Sequence, residues 1–199
     1  MNLFISRNIN RLVQLGPLNF QIPTPMFQSI NPIIILLATP VISMLWMRLA
    51  RKKMHLSSIL KFGIGFLLIT SGFTLITLGA KFATISGKAS MFWIITGMML
   101  MGIAEIFIEP GALAFVSRVA PRSSLSVMIG FYYLFTGAIA NYIAAQIAKL
   151  TTLNISIKAS LIEYAHGYES TYLKISILAL ILLFVIILFR IIFRKLSLK

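Results

Sequence analysis

The 199-residue chain has no cysteine. Disulfide frameworks, thiolate metal sites and a cysteine nucleophile are therefore excluded. Acidic side chains are nearly as scarce, with 4 Asp and Glu against 18 Lys and Arg, for a net charge of +14. Only two histidines occur, His55 and His166. Both fall in stretches that read as loops, and no His-His-carboxylate set offers a metal its ligands. The first residues do not read as a secretory leader either. Arg7 and Arg11 run into a polar, proline-containing stretch, where a leader needs an apolar core and a small-residue cleavage site.

Apolar residues fill the space left by these absences. They make up 59% of the chain and charged residues only 11%, whereas a soluble domain carries about a quarter charged residues. So little polar surface cannot cover a water-soluble core, and a lipid bilayer must be the outer solvent. The cations lie in short clusters between apolar runs, as expected of loops that face anionic headgroups. That pattern argues against nucleic acid as a partner.

Five stretches are long enough to span a bilayer, which takes about 20 apolar residues. They run from Pro25 to Met47, Ile59 to Gly79, Met91 to Val116, Ser126 to Leu150 and Leu173 to Phe193. Each must be helical, because an unpaired backbone group in hydrocarbon costs several kcal/mol. The fold class is therefore all-α integral membrane, with about five transmembrane helices in one unit over residues 25–199 and a preceding segment over 1–24. The Thr151 to Tyr172 stretch is expected to be the longest loop.

Counting cations by side sets an orientation. Arg48, Arg51, Lys52, Lys53, Lys61, Arg118, Arg122, Arg190, Arg194, Lys195 and Lys199 fall on one side, eleven in all. Arg7, Arg11, Lys81, Lys88, Lys149, Lys158 and Lys174 fall on the other, seven in all. The richer side should be cytoplasmic, which puts the C-terminus inside and the N-terminus outside. An outside N-terminus and an odd number of helices lead to the expectation that at least one helix lies upstream.

Small residues are frequent in these stretches, among them Gly63, Gly65, Gly72, Gly97, Gly102 and Gly137. They allow helices to approach closely, and packing alone explains most of them. Glu105 and Glu109 need a different account. Both lie inside the third apolar stretch, where a charge costs at least about 2.5–3.5 kcal/mol. Their i, i+4 spacing puts them on one helix face. Two adjacent carboxylates repel, and a proton or a substrate amine relieves that repulsion. A structural pair satisfied by neighbouring hydroxyls is the plainer alternative. Pro110 removes a helix hydrogen bond and frees the Ile106 carbonyl, a candidate kink for gating. Pro32 and Pro40 allow the same reading. Gln28, Ser29 and Asn31 form a polar group at the head of the first stretch; Tyr132, Tyr133, Asn141 and Tyr142 line the fourth.

Several strings in this order resemble one family. I-P-T-P-M-F-Q-S-I-N-P, from Ile22 to Pro32, resembles the "IPxxxFQSLNP" start of the eighth helix in proton-dependent oligopeptide transporters, the peptide branch of the major facilitator superfamily. A-E-I-F-I-E-P-G-A-L, from Ala104 to Leu113, is similar to that family's tenth-helix "GE-x-x-x-SP-x-GL". Phe115 to Pro121 resembles its "FVTKLAP", Met128 to Tyr142 its eleventh helix, and Asn2 to Asn8 the end of its seventh.

The resemblance implies the C-terminal helix bundle of such a transporter, with the five stretches as helices eight to twelve. It implies the C-terminal part of a proton-coupled di- and tripeptide transporter in the cell inner (plasma) membrane. The proton would be the coupling ion, with no cofactor and no enzyme activity, and the partners would be a peptide substrate, the bilayer and an N-terminal half. It further implies substrate binding by Asn31, Glu105 and Tyr132, with Glu109 and Pro110 as candidates for proton handling or gating. Three departures stand out: Glu109 replaces a serine, Tyr132 replaces a tryptophan, and the family's helix-one "E-x-x-E-R" motif is absent. A non-transporting membrane remnant or scaffold is the alternative function. A membrane enzyme built on Glu105 and Glu109 is disfavoured, since no nucleophile, metal set or phosphate loop accompanies them.

Overall fold

The computed structural model describes residues 1–15, 18–53, 57–152 and 160–196. A short helix α1 (Asn2–Asn8) leads into strand β1 (Ile9–Asn10) and an antiparallel hairpin of β2 (Leu12–Leu15) and β3 (Leu18–Gln21). A 3-10 turn (Thr24–Ser29) runs directly into α2 (Ile30–Arg51). Then follow α3 (Ser58–Ser86), β4 (Ala89–Ser90), α4 (Met91–Val119), α5 (Leu125–Thr152) and α6 (Leu161–Leu196). β1 and β4 pair in parallel through Ile9 with Ala89 and Asn10 with Ser90.

Five of the helices are long and apolar enough to cross a membrane. The 29 residues of α3 correspond to about 44 Å, more than the ~30 Å hydrocarbon core requires. Large side chains such as Leu36, Ile85, Phe115 and Leu178 are exposed on them, as expected of surfaces solvated by lipid rather than water.

Helix α3 is the centre of the bundle and makes its most extensive contacts with α6 and α4. The α3–α4 seam is a glycine stripe at seven-residue spacing. A Cβ added at Gly65 would stand 2.5 Å from Ile108 Cγ1, at Gly72 2.9 Å from the Gly97 carbonyl, and at Gly79 2.7 Å from Trp93 Cβ. At Gly72 the two backbones themselves are too close for a larger side chain, and at Gly65 and Gly79 the glycine makes room for Ile108 and Trp93. The pairing also shows that the two helices run antiparallel.

Several boundaries differ from those expected of the sequence. The second apolar stretch does not stop at Gly79 but continues to Ser86, where Gly87 adopts a left-handed φ of 76° and closes the helix. The expected Thr151 to Tyr172 loop is largely helix, because α6 starts at Leu161. Ser160 and Glu163 form a reciprocal cap there. The Ser160 N–H donates to Glu163 Oε2 at 2.9 Å, and the Glu163 N–H donates to Ser160 Oγ at 3.3 Å. His166 accordingly sits on α6, not in a loop, with its Nδ1 3.7 Å from Glu169 Oε2. His55 and Lys158 lie outside the described residues.

The N-terminal segment supplies some of the most buried side chains. Phe4, Ile5 and Asn8 have no exposed surface. Phe4 packs at a tilt against Tyr168, 5.2 Å between ring centroids, and edge-on against Tyr172 at 5.6 Å. The Asn8 amide donates to the Gly87 carbonyl at 3.0 Å and the Leu161 carbonyl at 2.7 Å. One side chain thus ties α1 to the end of α3 and the start of α6.

Candidate functional site

Helix α4 carries Glu105 as the fifteenth of its 29 residues, the position furthest from either end. Glu105 is nevertheless exposed, so its carboxylate opens onto a surface of the bundle. Asn31 Nδ2 donates to Glu105 Oε1 at 2.8 Å, a charge-assisted length for this donor and acceptor. Asn31 is the second residue of α2; the start of that helix therefore lies against the middle of α4.

Gly102 makes this meeting possible. A Cβ there would stand 2.5 Å from Asn31 Oδ1 and 3.2 Å from the Asn31 carbonyl oxygen. The residue reads from sequence as one packing glycine among many. Its particular task, room for the asparagine, emerges only from the contact.

Glu109, one turn further along α4, faces a different helix. Tyr132 Oη donates to Glu109 Oε2 at 3.3 Å, and Tyr133 packs edge-on to Tyr132 at 5.3 Å. Tyr132 is therefore brought to Glu109 rather than to Glu105. Asn141 and Tyr142 on the same helix are exposed. Two carboxylates thus share a face of α4, each held by a neutral donor from a separate helix. Among the described residues neither makes an ion pair with a lysine or arginine. No group of three His, Cys, Asp or Glu able to hold a metal occurs among them.

Pro110 lies inside α4, which continues through it to Val119. Pro40 likewise lies within α2, but Pro32 is in the first turn of that helix, where its missing N–H breaks no hydrogen bond. Nearby, Trp46 of α2 packs edge-on to Phe107 of α4 at 5.7 Å and lies under the Lys61 ammonium of α3 at 4.3 Å. This three-helix contact had no counterpart in the sequence reading, since its members are 15 to 61 residues apart and none is charged against another.

Comparison with known proteins finds relatives of this chain. A family profile described as "POT family" matches residues 1–165. The peptide transporter YePEPT of Yersinia enterocolitica subsp. palearctica serotype O:3 (strain YE-P4) is 34% identical over 162 residues, covering 76% of this chain and 31% of the relative. Dipeptide and tripeptide permease A of Serratia proteamaculans (strain 568) is 27% identical over 186 residues, covering 92% and 35%. Among solved structures, a POT family transporter in complex with 5-aminolevulinic acid superposes with a TM-score of 0.73 at 25% identity, over 94% of this chain and 35% of that one. A bacterial homologue of the human drug peptide transporters PepT1 and PepT2 gives a TM-score of 0.71 at 22% identity, which bears on the fold alone. The chain spans about a third of the length of the relatives it matches.

Proposed function

The chain belongs to the POT family of membrane peptide transporters, and on that premise we propose that it forms the C-terminal part of a proton-coupled di- and tripeptide transporter of the cell inner membrane. The observation that carries the proposal is the Asn31–Glu105 pair. A carboxylate midway along a membrane helix, oriented by an amide and open on one side, suits a peptide α-ammonium. The Asn31 amide can exchange its bond to Glu105 for one to the peptide backbone.

Tyr132 contributes a polar-tipped ring beside this surface, and Glu109 supplies the second carboxylate to which a coupling proton would bind. Pro110 lies directly after Glu109 and interrupts the hydrogen-bond ladder of α4, which favours bending at that point. Substrate sites in this superfamily lie between two halves. The chain covers about a third of its relatives' length, and no residue in the most apolar stretch of α5 is buried. Both points support a requirement for an N-terminal half. The cation bias further supports a cytoplasmic C-terminus.

The test is uptake of a labelled dipeptide in a bacterium without its own peptide uptake systems. The chain is expressed alone and with an N-terminal half taken from a POT family relative, as wild type and as Glu105→Gln. Proton-driven uptake only when both halves are present, lost in Glu105→Gln, is the expected result. Equal uptake by wild type and Glu105→Gln would remove Glu105 from the substrate site. No uptake in any case, despite correct membrane insertion, would favour a non-transporting scaffold.

A further inference from the structure

Helices α3 and α6 share the largest contact in the bundle, yet they part where α3 begins. Ile59, Gly63 and Leu67 of α3 and Leu183 and Ile187 of α6 line an open cleft of about 310 Å³, and Arg190 closes its end. Gly63 creates the space: a Cβ there would meet nothing nearer than Ile186 Cγ2, at 3.9 Å. Since Gly63 faces Ile186, Arg190 lies one turn beyond and level with the first turn of α3.

Among the described residues Arg190 has no acidic side chain beside it at this end of the protein. The chain holds only four acidic residues. Glu105 and Glu109 belong to the face of α4 described above, and Glu163 and Glu169 lie at the opposite end of α6. Along the helix, Glu169 is about 31 Å from Arg190. No ion pair among the described residues involves Arg190. Cations accumulate instead: Arg48, Arg51, Lys52 and Lys53 follow one another at the end of α2, just before α3 starts. The capped N-terminus of α3 at Ser57 adds the positive end of a helix dipole. An apolar cleft between membrane helices that ends in uncompensated positive charge suits a ligand with a hydrocarbon chain and an anionic head. The other clefts described on these helices are lined by apolar side chains alone.

We propose that this cleft is a binding site for an anionic glycerophospholipid, with an acyl chain between α3 and α6 and the phosphate facing Arg190 and the first turn of α3. The site is separate from the Asn31–Glu105 surface and does not depend on its function.

Native mass spectrometry of the detergent-purified 199-residue chain tests this, using phosphatidylglycerol and phosphatidylcholine with identical acyl chains. The wild type is expected to retain phosphatidylglycerol about fivefold better, the contribution of one interfacial arginine. Arg190→Gln should abolish that preference, and Gly63→Phe, which fills the cleft, should lower retention of both lipids. Lys174→Gln, which changes a cation far from the cleft on the same helix, should behave as wild type. Equal retention of the two lipids by the wild type would overturn the proposal. So would a preference that survives Arg190→Gln, an exposed position whose substitution leaves the packing intact. Displacement of phosphatidylglycerol by an equal concentration of inorganic phosphate would overturn it as well, since the site would then be an anion site indifferent to the acyl chain.

Discussion

Asn31 and Glu105 are 74 residues apart and meet through a single hydrogen bond of 2.8 Å from the asparagine amide to Glu105 Oε1. The bond joins the start of α2 to the midpoint of α4 and holds a carboxylate at a depth where an unsatisfied charge is costly. In the transporter proposed above, Glu105→Gln keeps the size of the side chain and removes the charge that would bind a peptide amine. Dipeptide affinity, measured by competition against labelled uptake, should fall about 10- to 100-fold, the range for losing a hydrogen bond to a charged group. Asn31→Ala should fall less. The double variant should fall further than Glu105→Gln alone, because Asn31 also bonds the peptide backbone; a double variant no worse than Glu105→Gln would mean that Asn31 acts only through Glu105.

Gly102→Ala tests whether the glycine exists to seat Asn31. The added methyl would stand 2.5 Å from Asn31 Oδ1, so the asparagine must move. We expect a stability loss of about 1–3 kcal/mol, typical of overpacking, and a fall in affinity like that of Asn31→Ala. Unchanged affinity together with lowered thermal stability would mean that the glycine serves packing only.

Tyr132→Phe removes the hydroxyl that donates to Glu109 and keeps the ring. The loss should be about 1 kcal/mol, as for a single hydrogen bond. It should vanish when Glu109 is already Ala, which offers no acceptor, provided that the tyrosine acts through this contact. A thermal-unfolding double-mutant cycle in detergent measures the coupling. Additive losses would mean that the 3.3 Å contact contributes nothing.

Asn8→Leu tests the junction of α1, α3 and α6. Asn8 is fully buried, and its removal leaves the Gly87 and Leu161 carbonyls without their donor. The expected cost is about 2 kcal/mol or more, read as a lowered unfolding temperature. Gly87→Ala should cost about 1 kcal/mol for a different reason. The space around its Cβ is open to 3.8 Å, but a φ of 76° disfavours any side chain.

Some of what the sequence did not yield was nevertheless written in it. Ser160-Leu161-Ile162-Glu163 is a capping-box pattern, and it announces the start of α6 well before the apolar run at Leu173. Gly87 has the same standing as the end of α3. The hydrophobic run alone understates both helices, because a membrane helix extends past the hydrocarbon wherever caps and partners satisfy its ends. The burial of Phe4, Ile5 and Asn8 could not have been read in this way. The segment is short and mixed in polarity, and its environment is made chiefly by α6, more than 150 residues away along the chain.

The sequence alone determined that this is a bundle of membrane helices with a cation-rich end, because lipid leaves an apolar run of that length no other structure and charge stays where water can reach it. It also singled out Glu105 and Glu109 as charges out of place in hydrocarbon, while Asn31 and Tyr132 were marked out among other polar and aromatic side chains by the family resemblance. Only the tertiary structure decided their partners. A helix period fixes which residues share a face of one helix, but not which helix that face meets. The gap at Gly102 lets the start of α2 lie against α4 and so gives Glu105 to Asn31, while the separate contact of α4 with α5 gives Glu109 to Tyr132.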